Sequence, residues 1–210
     1  MIAAAGIEEL LFQVVDALRY PVLGAVVIAV LVTMFDLGSF FVELVRRKSR
    51  DARELEQASA AARSALAENN PGAAAQALLP RATSVQMAEA LSEIVEQVGE
   101  RNQSDRMAKI LADFDLVSLR KLERSRMLVR FGPALGLMGT LIPLSPALEG
   151  LANGNVKLLS ENLRVAFSVT VLGLLIGAIA FAVALVRDRL YAQDLSDLEY
   201  VATTLTPEQR

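Results

Sequence analysis

The chain has 210 residues, 53% of them hydrophobic, and a mean hydropathy of +0.40. That exceeds an ordinary soluble domain of this size and makes a lipid bilayer the first environment to consider. Cysteine and histidine are both absent, which excludes disulfides, thiolate or imidazole metal sites and Cys/His nucleophilic catalysis, while a net charge of −3 and a pI near 5.2 argue against nucleic-acid binding.

From the N-terminus, Met1 to Gly6 carry no basic residue and lead into Glu8 and Glu9, so no cleaved signal peptide is expected and the first apolar segment should stay in the mature protein. Between Ile7 and Tyr20 the apolar residues Ile7, Leu10, Leu11, Val14, Val15 and Leu18 recur at helical spacing. Residues 1–20 are therefore predicted as an outward-facing amphipathic helix lying in the membrane interface.

Residues 21–45 form the first predicted span, because about 20 apolar residues cross a hydrocarbon core of about 30 Å. Its second half is unusual. Asp36, Ser39 and Glu43 fall within about 60° on a helical wheel and make a polar stripe. An acid inside a span is a candidate functional residue by default; set against that, Phe40 and Phe41 mark an interface, leaving Asp36 only about 7 Å inside it. If Asp36 belongs to an ion exit, Asp36→Asn should lower flux without lowering assembly.

Residues 46–130 are rich in Ala, Glu, Arg, Gln and Leu and read as a helical region. A turn falls at Asn69-Asn70-Pro71-Gly72, and Thr83-Ser84-Val85-Gln86 has a capping-box pattern. The carboxylates Glu89, Glu93, Glu96 and Glu100 have the spacing of a solvated helix face, and the region offers no Gly-rich phosphate loop, no nucleophile with a base and no metal-ligand cluster. No enzyme activity and no cofactor are expected. From Ser104 no helix breaker occurs until Gly132, so the last helix here should run straight into the next span.

The second span, 131–148, is uncharged but holds Gly132, Gly136, Gly139, Pro133, Pro143 and Pro146, residues that neighbouring helices make tolerable in a membrane. An outer loop is predicted over 149–164. The third span, 165–186, contains no charge and is followed by Arg187 and Arg189. A helical extension over 187–210 completes an all-α integral membrane protein with three transmembrane helices and long cytoplasmic helical extensions. The basic residues set the orientation: Arg46, Arg47, Lys48, Arg50 and Arg53 follow the first span, and Arg120, Lys121, Arg124, Arg126 and Arg130 precede the second. The middle region and C-terminus are thus expected in the cytoplasm and the N-terminus outside, with the same cations available to anionic lipid head groups.

Small and polar residues share one face of each of the last two spans: Pro133, Gly136, Gly139/Thr140 and Pro143 on one, Ala166, Thr170, Gly173 and Gly177 on the other. Small-residue faces let helix backbones approach, which gives Gly136, Gly139, Gly173 and Gly177 a packing role, and Thr hydroxyls often bond within their own helix. The same hydroxyls, able to donate and accept, also suit an ion path.

The segment from Gly132 to Leu141, GPALGLMGTL, and the segment from Ala166 to Leu174, AFSVTVLGL, resemble the paired core motifs of the MotA/TolQ/ExbB proton-channel family, and the three-span layout is similar to its TolQ/ExbB branch. The resemblance covers roughly residues 130–186. It implies a homopentamer in the inner membrane of a prokaryote, around a central pore holding a dimer of a single-span MotB/TolR/ExbD-like partner that carries the proton-binding aspartate. It further implies that Thr140 and Thr170 line the path of the transported proton or sodium ion. Pro133 joins them as an ion-path candidate, with Asp36 and Ser145 as further candidates. Family members often have Gly where this chain has Pro143, and some carry an acid five positions before the third-span threonine, where this chain has Val165. The alternative from a different class is a scaffold membrane protein whose small-residue faces only mediate oligomer packing.

Overall fold

A computed structural model describes residues 2–47, 52–100 and 102–206. The chain folds as helices α1 (Ile2–Ala17), α2 (Arg19–Arg47), α3 (Ala52–Ala67), α4 (Pro71–Leu78), a 3-10 turn (Leu79–Arg81), α5 (Val85–Gln97), α6 (Gln103–Ala152) and α7 (Val156–Leu205). Among the described residues there is no strand, and three helices are long and apolar enough to cross a membrane. The fold is all-α, as the sequence predicts.

Leu18 alone separates α1 from α2, and backbone bonds from Leu18 N to Val14 O (3.1 Å) and from Val22 N to Leu18 O (3.0 Å) run through it. The N-terminal stretch predicted as a separate helix over 1–20 thus leads into the first apolar helix with no loop between. Pro21 sits in the first turn of α2, where its missing N–H costs nothing. Of the basic run after the first span, Lys48 and Arg50 lie outside the described residues.

The chain divides into two compact units. Unit 1 comprises Met1–Phe40 and Arg124–Ala184. On α2 its buried positions Val22, Val26, Ala29 and Thr33 recur every three to four residues, the signature of one helix face. The α6 helix continues through Pro133, Pro143 and Pro146. It ends at Ala152, where Gly154 adopts φ +71° and Asn155 N bonds back to Gly150 O at 2.7 Å. That left-handed position favours glycine. Asn155 then caps α7 by accepting from Leu158 N at 3.0 Å. The non-helical link between the two helices therefore spans only 153–155, and most of the predicted loop 149–164 is helix. Arg19 donates to the buried side chain of Asn162 at 3.1 Å, tying the start of α2 to α7.

Unit 2 comprises Phe41–Glu123 and Leu185–Arg210. One apolar core gathers Leu55 and Ala62 of α3, Leu78 of α4, Leu91 and Ile94 of α5, Met107 and Phe114 of α6, and Leu198 and Val201 of α7. The predicted Asn69–Gly72 turn is present: Asn69 has φ 58°, and Asn70 caps α4 by accepting from Ala73 N at 3.0 Å. At α5 the capping box shifts by one residue. Ser84 is the cap and accepts from Met87 N at 3.2 Å, while Gln86 accepts from Lys121 Nζ at 2.7 Å instead of reaching back to the helix start. Thr83 is thereby released for a different partner, described below.

Candidate functional site

Within unit 1, α6 and α7 meet along a seam of glycines. A methyl group placed on Gly173 would lie 2.6 Å from both Gly132 O and Gly136 Cα, and one on Gly139 would lie 2.1 Å from Val169 Cγ1. At Gly177 it would lie 2.9 Å from the ring of Pro133. Backbone therefore packs on backbone, and only glycine fits at the centre of the seam. The four glycines picked out by spacing are all in it, with Pro133 seated against Gly177. Gly132 is a fifth member that the sequence reading left out of the packing set, although it sits one turn before Gly136 and prolongs the same ridge.

Thr170 lies on this seam, half-buried, its Oγ1 3.2 Å from Ala166 O and 3.4 Å from Gly136 O. One hydroxyl proton serves one of these carbonyls at a time, leaving the oxygen lone pairs available to accept. Thr140, also half-buried, donates to Leu137 O of its own helix at 2.7 Å. Both hydroxyls thus make the intrahelical bonds expected of threonine in an apolar helix.

The other candidates lie elsewhere. Ser145 is exposed and borders a cleft of about 450 Å³ lined also by Phe12, Val15, Asp16, Ile142, Pro146 and Glu149. Neither threonine contributes to that lining. Asp36 is half-buried on α2 and accepts from the fully buried Ser125 hydroxyl of α6 at 2.8 Å. The carboxylate therefore has a protein partner on α6.

A model of the MotA/TolQ/ExbB proton channel family matches residues 73–199, more than half of the chain. The chain belongs to this family. No curated protein matches it. Family membership and three helices of spanning length and apolarity make it a multi-pass membrane protein of a proton-channel family. The match takes in most of α4, the whole of α5 and α6 and most of α7, and so the whole glycine seam with Thr140 and Thr170. Both α1 and α2, including Asp36, fall outside it.

Unit 2 of this family member holds a buried charge network that the sequence does not announce. Arg47 of α2 is paired with Asp194 of α7: Nη1 donates to Oδ1 at 2.9 Å, and Nη2 lies 2.7 Å from Oδ2 as an ion-pair contact. The same Nη2 reaches Glu43 at 3.1 Å, and Glu43 in turn takes the Nε of Arg187 at 3.3 Å. Thr83 donates to Asp194 Oδ1 at 2.9 Å, and Arg47 Nη1 also reaches Leu190 O at 3.2 Å. Asp194 is fully buried, and Arg47 and Arg187 are 7% and 5% exposed. The Arg47 guanidinium lies 5.7 Å from the ring centre of Tyr191. Burial, reinforced by the charge of Glu43, pushes the Tyr191 phenol up to about 12, so it remains a neutral donor. The sequence reading assigned Arg47 to a basic run and Arg187 to the end of a span. Glu43 stands one turn before Arg47, but Asp194 lies 147 residues from Arg47 and Glu43 lies 144 from Arg187, too far for a local pattern to show those pairs.

Proposed function

We propose that the chain is the pore-forming subunit of a proton-driven, or sodium-driven, energy-transducing motor. Five copies surround a dimer of a single-span MotB/TolR/ExbD-like partner in a cytoplasmic membrane, with the N-terminus outside and the C-terminus in the cytoplasm. Ion flow through this assembly is converted into mechanical work. The observation that carries the proposal is that the family match covers both helices of the glycine seam.

Neither 131–148 nor 165–186 contains an ionisable side chain, and in this scheme the group that takes up the ion beside them comes from the partner. The chain supplies a smooth wall and hydroxyls in this scheme. Thr140 and Thr170 keep oxygen lone pairs with which to hold water beside the partner's acid at low desolvation cost, and Pro133 shapes the wall against Gly177. Asp36 and Ser145 have their own surroundings and stand as secondary candidates. No enzymatic step and no resident cofactor enter; the transported ion is the only substrate.

Native mass spectrometry of the gently solubilised complex, co-expressed with an adjacent gene for a single-span protein, tests the assembly. Five copies with two partner chains are expected. A partner-free monomer or dimer would favour the scaffold class, in which the seam serves packing alone.

A further inference from the structure

We propose that the buried Arg47–Asp194 and Glu43–Arg187 pairs form a register pin, in which Arg47 and Asp194 are positioning residues that hold α2 of the channel subunit at one longitudinal setting against α7. The functional half of this proposal rests on the ion-driven reading above.

The charges alternate in a matched order. Along α2 an acid, Glu43, precedes a base, Arg47, by one turn; along α7 a base, Arg187, precedes an acid, Asp194, by two turns on the same face. The observed setting pairs Glu43 with Arg187 and Arg47 with Asp194. Sliding α2 one turn in one direction would bring Glu43 toward Asp194, and sliding it the other way would bring Arg47 toward Arg187. Either slip sets like charge against like in a buried place, where repulsion is poorly screened. Apolar side chains would oppose neither, because one aliphatic surface packs on another in several settings.

Further details favour a device for setting over one for stability. Replacing a buried ion pair by apolar residues of similar volume often leaves stability unchanged or improved, whereas charged and polar groups discriminate between registers. Asp194 is held from two elements, by the guanidinium of Arg47 on α2, with one hydrogen bond and one ion-pair contact, and by the hydroxyl of Thr83 in the segment before α5. The planar guanidinium imposes direction as well as distance, which a lysine does not.

The test uses the co-purified complex. The chain contains no cysteine, so spin labels attach only at Val45→Cys, 71% exposed, and Ala192→Cys, also exposed, with labelled subunits diluted by unlabelled ones. Pulsed electron resonance should give one narrow distance in the parent protein. In the Arg47→Met/Asp194→Leu double variant it should broaden or split while thermal stability holds or rises, and ion-driven proton uptake should fall at least tenfold. The milder Arg47→Lys, which keeps charge without the fork, should broaden the distance too and serves if the double variant does not fold. An unchanged narrow distance in a folded variant overturns the pin, and full proton uptake in a variant with a broadened distance overturns its functional half. Absence of both proton and sodium uptake in the parent complex would instead sink the channel reading, and the distance measurement would still judge the pin.

Discussion

Thr170 and Thr140 show how far a residue's neighbours alter what its identity suggests. Their spacing with the seam glycines was readable because helical period alone places them there. That each hydroxyl already serves a carbonyl of its own helix was only a general expectation until the bonds at 3.2 and 2.7 Å appeared. Asp36 was readable as an anomaly within an apolar stretch, but its partner was not, since Ser125 stands 89 residues away. That pair makes a specific prediction. Ser125→Ala removes the hydroxyl from a half-buried carboxylate that can regain water, and the expected loss is about 1 kcal/mol, read by thermal or denaturant unfolding of the solubilised protein. The Arg47–Asp194 pair, separated by 147 residues, was illegible for the same reason. A charge flanking a span has a sufficient explanation in topology, so nothing local calls for a buried partner.

Elements were more legible than contacts. The absence of breakers between Ser104 and Gly132 foretold one helix running into the second span, and α6 extends over Gln103–Ala152. The loop at 149–164 was overestimated because its polar residues resemble a loop, whereas Gly154 and the Asn155 cap reverse the chain within 153–155. The capping box at α5 was misplaced by one residue because Thr83 and Ser84 both suit a cap in sequence; Ser84 takes it, and Thr83 bonds Asp194. Two substitutions probe the α6–α7 hairpin. Gly154→Ala forces a side chain into a left-handed backbone and should destabilise by about 1 kcal/mol. Gly173→Ala presses a methyl against the backbone of Gly132 and Gly136, and the expected cost is about 1–3 kcal/mol with loss of assembled complex, measured by thermal unfolding and size-exclusion chromatography.

At the scale of the whole molecule, composition and periodicity suffice for an all-α membrane protein, because a bilayer demands long, internally bonded helices. The motifs around Gly136 and Gly173 pointed to a family, and the match over residues 73–199 establishes it. The seam helices carry no titrating group within 131–148 and 165–186, which is why the proposed ion path draws on a second chain. The most direct measurement is proton uptake into liposomes containing the complex with the proposed single-span partner, driven by an imposed pH gradient, for the parent and for Thr170→Val. The substitution keeps the side-chain volume and removes the hydroxyl. The account predicts clear uptake by the parent and at least a tenfold slower rate for Thr170→Val at unchanged complex mass; equal uptake by the two would contradict it.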